Sequence, residues 1–225
     1  MNATLKKLKL ANPDLRLYDV FSAKFRSYGR VLSIPGGDEL IGALEKTRMP
    51  EEGNLYRASV PSLEKTGAAK LIQKTVFGGM DIQAGCCNGF GTVMNAMEYH
   101  KCAEVNVTTG GAVLLLGRPD EIRDGFFDSG KALAFYLPPR VFVEIDPKVL
   151  HFAPLSITAQ GFRCLVVLEK HTNEPMETAS LETDDESKLL WMRNKWLTCH
   201  PGSPQAEKGA FQGIINENLS LNRID

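Results

Sequence analysis

The stretch MNAMEYHKCAEVNV, residues 94–107, decides the fold. Glu98 and His100 are two positions apart, so on a β-strand their side chains point to the same face. If the strand ran straight on to Glu104, the Cα atoms of Glu98 and Glu104 would be about 20 Å apart, at roughly 3.3 Å per residue, which is too far for one ion. A reversal of the chain at residues 101–103 would bring Glu104 back beside His100. We therefore expect two carboxylates and an imidazole to converge inside a β-structure.

Short β-branched or aromatic runs recur around this stretch, separated by Gly, Pro or Asn-Gly. The predicted strands are Asp81–Ala84, Thr92–His100, Glu104–Thr108, Ala112–Leu116, Ala132–Leu137, Val141–Ile145 and Phe162–Glu169. Many short strands with no helices between them favour an antiparallel sandwich or barrel over a parallel sheet.

The pattern Glu-x-His-x-x-x-Glu, followed by the apolar run Ala112–Leu116 and Gly117, resembles the first metal-binding motif of the cupin superfamily. The usual motif begins with His-x-His, so Glu98 stands where those proteins have their first histidine. A carboxylate keeps a donor atom at that position but makes the site harder and more anionic. The resemblance implies a mainly all-β fold, the antiparallel cupin sandwich or barrel (a double-stranded β-helix), with flanking N- and C-terminal helices.

The second cupin motif supplies one more histidine, from a strand that follows a Pro-containing turn. His151 resembles that residue, although the usual Pro-x-Gly-x-x-His spacing is absent and His151 lies twelve positions after Pro139. The implied metal ligands are Glu98, His100, Glu104 and His151. Glu144 competes with His151, either as a ligand or as a general base beside the metal.

Two imidazole nitrogens and two carboxylate oxygens suit a divalent transition metal, namely Zn²⁺, Mn²⁺, Fe²⁺ or Ni²⁺. Such an ion polarises a carbonyl group and acidifies the adjacent carbon, and Glu144 would then move a proton between neighbouring carbons. Cupins that resemble this chain carry out that chemistry as aldose–ketose isomerases or epimerases. The residues predicted to bind substrate hydroxyl groups are Gln83, Asn88, Asn95 and Lys170, each of which also fits a turn or a core-capping role.

Further stretches carry a narrower resemblance: FRSYGRVL at 25–32, QAGCCNG at 83–89 and NAMEYH at 95–100. They resemble an uncharacterised bacterial cupin family that is similar in layout to the ureidoglycolate-lyase-like cupins. The favoured hypothesis is a metal-dependent sugar or sugar-acid isomerase or epimerase. The alternatives are a lyase or hydrolase that acts on a ureido or hydroxy acid, and a non-catalytic sugar-binding cupin.

The chain contains three regions that differ in composition and in the spacing of their apolar residues, and we expect them to form one structural domain. Residues 1–79 contain strands and helices that pack on the barrel, with predicted helices at Asp38–Lys46 and from Ser62 towards Phe77. Residues 80–172 form the barrel. Residues 173–225 begin with an acidic loop at 174–187 and continue into a third helix, predicted from the helical spacing of Leu189, Met192 and Trp196.

Composition limits the function classes. The 225 residues carry 26 Lys and Arg against 27 Asp and Glu, a net charge of −1, which excludes a broadly basic nucleic-acid binder. The apolar runs are too short to cross a membrane, and the N-terminus lacks the features of a signal peptide. We therefore expect a cytoplasmic protein with five reduced cysteines and a small-molecule substrate. A homodimer is expected by analogy with other barrels that have C-terminal extensions.

Overall fold

The computed structural model describes residues 2–176 and 184–225. The strands are β1 (Leu17–Asp19), β2 (Gly29–Leu32), β3 (Asn54–Arg57), β4 (Ile82–Gly89), β5 (Ala96–Tyr99), β6 (Glu104–Thr108), β7 (Ala112–Leu116), β8 (Ile122–Arg123), β9 (Phe126–Asp128), β10 (Leu133–Leu137), β11 (Phe142–Ile145), β12 (Phe162–Glu169), β13 (Leu190–Met192), β14 (Lys195–Cys199) and β15 (Ile214–Ile215). The α-helices are α1 (Ala3–Ala11), α2 (Gly37–Glu45), α3 (Pro61–Glu64), α4 (Gly67–Thr75) and α5 (Pro204–Glu207). Short 3-10 helices lie at Ala23–Ser27, Pro119–Glu121, Ser129–Lys131 and Ser187–Leu189.

One large antiparallel sheet forms the main layer, in the order β2-β11-β6-β12-β4-β3. Three smaller sheets have the orders β1-β10-β7, β13-β14-β5 and β15-β9-β8. Leu114 of β7 packs in one hydrophobic cluster with Val143 and Ile145 of β11, so the sheet that contains β7 faces the large sheet. The fold is therefore mainly β and sandwich-like, as predicted.

Helices α2 and α4 cover the outer face of the large sheet. Val105 of β6 and Leu165 of β12 pack there against Leu44 and Ile72 of these helices. Because side chains alternate along a strand, Glu104 and Asn106 of β6 point to the opposite, inner face. Both faces of β6 are covered, and all of its residues are buried.

Three predicted strands have the bounds observed for β6, β7 and β12, and the first predicted helix is displaced by one residue from α2. The second predicted helix is two helices, α3 and α4. Thr66 separates them because its hydroxyl oxygen accepts a hydrogen bond of 3.2 Å from the N–H of Ala69, which caps the start of α4.

The predicted C-terminal helix is wrong. Residues 190–199 form the hairpin β13–β14, which turns at Asn194 with a φ of 53°. Strand β14 pairs with β5, and Trp196 stacks on Tyr99 with ring centroids 5.5 Å apart. The open edge of β5 thus offers this segment a ladder of hydrogen bonds that the spacing of its apolar residues does not reveal. Residues 177–183 of the predicted acidic loop lie outside the described residues.

All five cysteines are buried free thiols. Within the described part of the chain, every helix is too short or too polar to cross a lipid bilayer.

Candidate metal centre

A corner between β5 and β6 brings carboxylate and imidazole side chains together. Glu98 lies in β5, His100 follows its last residue, and Glu104 begins β6. The predicted reversal does not form a β-hairpin, because β5 pairs with β14 whereas β6 lies between β11 and β12. The reversal at residues 101–103 instead carries the chain from one sheet to another.

His151 reaches the same place from a later segment. Its backbone forms an antiparallel bridge with that of Glu98, with N···O distances of 2.7 and 2.8 Å. His151 Nε2 lies 3.2 Å from Glu104 Oε2, and His100 Nε2 lies 3.6 Å from the same oxygen. Glu98 Oε1 lies 3.7 Å from His100 Nε2. The structure thus brings the four predicted ligands together, and none of the four side chains is more than 11% exposed.

The backbone fixes the orientation of both imidazole rings. His100 Nδ1 lies 2.8 Å from the carbonyl oxygen of Asn194, and His151 Nδ1 lies 2.8 Å from that of Val149. A carbonyl oxygen only accepts hydrogen bonds, so each Nδ1 carries a proton. Both Nε2 atoms are buried with no hydrogen-bond partner among the described residues. Metal-binding histidines are held in this way, with one nitrogen on a carbonyl group and the other available to the ion.

The donor atoms fit a divalent transition metal. Glu98, His100 and His151 can each offer one ligand atom within 4.8 Å of the others, and Glu104 contacts both histidines. Bonds of about 2.1 Å to one ion place neighbouring donors roughly 3.0 to 3.4 Å apart. The observed separations of 3.2, 3.6 and 3.7 Å need little adjustment to reach that range.

Charge and burial oppose each other at His151 and Glu104. Burial lowers the pKa of His151, but the charge of Glu104 outweighs it and raises this pKa from 6.5 to about 9. Burial likewise raises the pKa of Glu104, but the charge of His151 brings it down to about 2. Burial, together with the charge of His151, lowers the pKa of His100. Without an ion, the cluster therefore holds one proton on His151, opposite the charged Glu104.

Lys195 belongs to the same cluster. Its ammonium nitrogen forms an ion pair with Glu98 Oε2, and the side chain is only 14% exposed. The predicted C-terminal helix includes Lys195. In the structure it lies on β14, and register pairs Leu197 of β14 with Glu98 of β5. Because Lys195 and Leu197 share a face of the strand, Lys195 points to the same side as Glu98.

A cavity of about 430 Å³ opens onto this cluster. Its lining includes Glu98, Glu104, His151 and Lys195, together with polar groups from other segments. Asn106 donates a 2.8 Å hydrogen bond to Glu104 Oε1 and so holds that carboxylate. The volume lies within the roughly 300 to 1,000 Å³ that is common for small-molecule sites.

The structure corrects the prediction that Glu144 is the general base. Register pairs Ile145 with Glu104 and Glu144 with Val105, and Val105 packs on the outer, helix-covered face. Glu144 therefore points away from the cavity, where its Oε2 accepts a 2.7 Å hydrogen bond from Arg30 Nε. The face to which Glu144 points depends on how β11 is paired with β6, and the local sequence does not reveal that register.

Two of the four residues predicted to bind substrate have structural roles instead. The Gln83 side chain donates to the carbonyl oxygen of Thr172 and accepts from the N–H of His171, so it fixes the loop after β12. Asn88 lies on the outer face of β4 and donates to the hydroxyl oxygen of Thr47. Neither lines the cavity.

The other two residues differ from each other. Asn95 lines the cavity, and its Oδ1 accepts a 3.1 Å hydrogen bond from Asn218 Nδ2. Lys170 is exposed and lies away from the cavity lining. Asn95 is thus placed where it could contact a ligand in the cavity, and Lys170 is not.

Sequence reasoning missed Lys195, Asn106 and Tyr56. Tyr56 lies on the edge strand β3, lines the cavity and accepts a 2.9 Å hydrogen bond from Asn173 Nδ2. Asn106 was within reach of sequence reasoning, because it is two positions after Glu104 on the same strand and must share its face. Tyr56 and Lys195 join the site only through strand pairings that no local pattern reveals.

Comparison with known proteins identifies a family. The chain matches the family model described as "Domain of unknown function (DUF4867)" over residues 17–219. No curated protein matches the chain.

Among solved structures, the chain is similar to oxalate decarboxylases and to an 11S globulin. One of these structures is of an oxalate decarboxylase and deals with a structural element that modulates its proton-coupled electron transfer. It is 13% identical, has a TM-score of 0.35, and the match covers 56% of this chain and 28% of that chain. Another concerns the Mn(II) centres of the Bacillus subtilis enzyme, with 12% identity, a TM-score of 0.32, and coverage of 54% and 28%. An 11S globulin from Wrightia tinctoria has 11% identity, a TM-score of 0.30, and coverage of 39% and 20%. The similarity thus covers less than a third of each of these chains.

Proposed function

The chain belongs to this family of unknown function, and we propose that it is a metal-dependent cupin enzyme that acts on a small polar substrate. One observation carries the proposal: two histidines, whose Nε2 atoms have no hydrogen-bond partner among the described residues, lie together with two carboxylates, and Glu98, Glu104 and His151 line a cavity of about 430 Å³. Buried polar atoms without partners are costly, and a bound cation would satisfy them. Glu98, His100, Glu104 and His151 would hold Zn²⁺, Mn²⁺, Fe²⁺ or Ni²⁺.

The proposed reaction is isomerisation or epimerisation of a sugar or sugar acid. A bound divalent ion would polarise a substrate oxygen and make the neighbouring C–H group more acidic. The proton must then pass to a group beside that carbon, and Glu144 lies on the wrong face to receive it. We assign this task to Glu98, which would accept the proton at Oε2 and return it to the neighbouring carbon, while Lys195 Nζ stays charged beside it; both residues line the cavity.

Tyr56 is the proposed hydrogen-bond donor to the substrate. Its oxygen accepts from Asn173 Nδ2, which leaves its own O–H for another acceptor. Desolvation raises the pKa of Tyr56 well above 10, so the hydroxyl group keeps its proton at neutral pH. Tyr56 would therefore orient a substrate oxygen and leave proton transfer to Glu98.

A two-stage experiment tests the proposal. Elemental analysis first compares the metal content of the wild type with His100→Ala and with the control Glu144→Gln, whose side chain lies on the other face of the sheet. We expect about one ion per chain in the wild type and the control, and a large loss in His100→Ala. Equal metal content in all three proteins would overturn the metal site.

The second stage assays the protein loaded with each candidate metal against aldoses, ketoses, epimeric sugar acids and ureidoglycolate. Interconversion of sugars or sugar acids supports the proposed reaction. Turnover of ureidoglycolate alone would replace it with the lyase or hydrolase. Binding of sugars without turnover with any of the metals would indicate a non-catalytic cupin.

A further inference from the structure

Lys195 has hydrogen-bonding capacity that its ion pair does not use. An ammonium group has three N–H donors and no acceptor, and the carboxylate of Glu98 can take one of them at Oε2. The nitrogen also lies 5.9 Å from the centre of the Phe152 ring. At 14% exposure the side chain has little contact with bulk water, so the remaining donors need acceptors inside the cavity.

The charges of the cavity lead to the same conclusion. Among the described lining residues, the carboxylates are Glu98 and Glu104, and the ammonium groups are Lys195 and Lys208. A divalent ion would balance the two carboxylates and leave the ammonium charges uncompensated. Lys195 lies beside the ion site, whereas Lys208 is exposed. The occupied cavity would thus be positive and would favour an anionic molecule.

We infer that the substrate carries a carboxylate group, which Lys195 binds next to the ion. The inference rests on the proposed function and narrows it from sugars in general to sugar acids and other hydroxy acids. A single negative charge matches the one ammonium group that lies beside the ion site, whereas a phosphate ester brings about −1.5 to −2. A carboxylate oxygen also accepts charge-assisted hydrogen bonds from an ammonium group, which are stronger than those to a neutral hydroxyl group.

The test compares two small probes that differ in charge. Glycerate and glycerol share two hydroxyl-bearing carbons. At the third carbon, glycerate has a carboxylate where glycerol has a neutral CH₂OH group. Calorimetric titration of the Mn²⁺-loaded protein should show glycerate binding roughly 10- to 100-fold more tightly than glycerol, which is the value of one charge-assisted hydrogen bond. Glycerol 3-phosphate forms the third arm. Tighter binding of this phosphate ester than of glycerate would overturn the inference.

Two variants test whether Lys195 causes the preference for glycerate over glycerol. Lys195→Met keeps the length of the side chain and removes its charge, and it should abolish the preference for glycerate. Lys170→Met makes the same change on the exposed surface and should leave the preference intact. If the preference survives in Lys195→Met, the ion itself binds the carboxylate and the assignment to Lys195 is wrong.

The outcomes separate this inference from the proposed function. A wild-type protein that binds no Mn²⁺, Zn²⁺, Fe²⁺ or Ni²⁺ contradicts both. A wild-type protein that binds the metal but shows no preference for glycerate contradicts only the inference that the substrate carries a carboxylate group. That result requires no variant, so it holds even if Lys195→Met fails to fold.

Discussion

Glu104 Oε2 lies 3.2 Å from His151 Nε2, so a carboxylate from the large sheet meets an imidazole that is bridged to β5 on the opposing side. The pair is buried, and each residue stabilises the charged form of the other. The pKa of His151 is raised to about 9, and that of Glu104 is lowered to about 2. Any cation that enters the site must displace the proton of His151. Two pH-dependent properties follow.

Metal affinity should rise with pH. Because His151 holds a proton below about pH 9 in the empty site, binding of one ion releases about one proton. The apparent association constant for Zn²⁺ should therefore increase about tenfold per pH unit between pH 6.5 and about 9. Titration calorimetry in buffers of different ionisation enthalpy measures the proton release directly. A constant affinity across this range would contradict the pairing.

The stability of the metal-free protein should fall over the same range. A pKa raised on folding, as for His151, contributes stability fully below the unfolded value of 6.5, and this contribution is lost as the pH rises through about 9. The lowered pKa of Glu104 contributes above 4.5 and is lost only as the pH falls through about 2. The Tm in EDTA should therefore decrease from pH 6.5 to about 9. His151→Gln should flatten this slope, and an unchanged slope in that variant would assign it to other groups.

Asn194 should couple the hairpin turn to the metal centre. Its carbonyl oxygen accepts from His100 Nδ1, its side chain binds Lys101 and Thr172, and its φ is 53°. Asn194→Gly keeps the backbone angle and loses the side-chain hydrogen bonds. Asn194→Ala also loses these hydrogen bonds, and the positive φ adds strain of about 1 kcal/mol to it. We expect stability to fall in the order wild type, Asn194→Gly, Asn194→Ala in urea unfolding. Equal stability of the two variants would show that the angle is unimportant.

Gly85 should be intolerant of any side chain. A Cβ atom there would lie 2.0 Å from the carbonyl oxygen of Arg57 and 2.5 Å from that of Ala58, and neither backbone atom can move without displacing the segment at the end of β3. Gly85→Ala should destabilise the protein by roughly 1 to 3 kcal/mol or more. Gly42→Ala is the matched control, because it lies in helix α2 with open space around it and should stabilise by up to about 1 kcal/mol. Denaturant titration measures both, and a neutral Gly85→Ala would sink the proposed clash.

Local sequence predicts the strands whose neighbours bury them on both sides. β7 is an unbroken apolar run, and β6 and β12 are rich in apolar and β-branched residues, because helices or a second sheet cover their faces. The two-residue spacing of Glu98 and His100 likewise fixes their common face. These features depend on period and burial, which a sequence displays directly.

The errors at Glu144 and Trp196 concern which strand pairs with which. Glu144 is predicted to face the cavity, but its neighbours Val143 and Ile145 point to the inner face of the sheet, as their pairing with Asn106 and Glu104 shows. Trp196 fits a helix by spacing, yet the free edge of β5 recruits it into a strand. Long-range hydrogen bonding decided both positions, and no window of neighbouring residues contains that information.

The corner between β5 and β6 places the proposed ligands on two different layers of the sandwich. Glu98 belongs to the sheet of β5, and Glu104 belongs to the large sheet. An ion bound by both would be a cross-link between the layers, so the layers could not separate while it stayed in place. Release of the ion through the cavity would remove this cross-link, so the metal-free protein should open and unfold faster than the metal-bound protein.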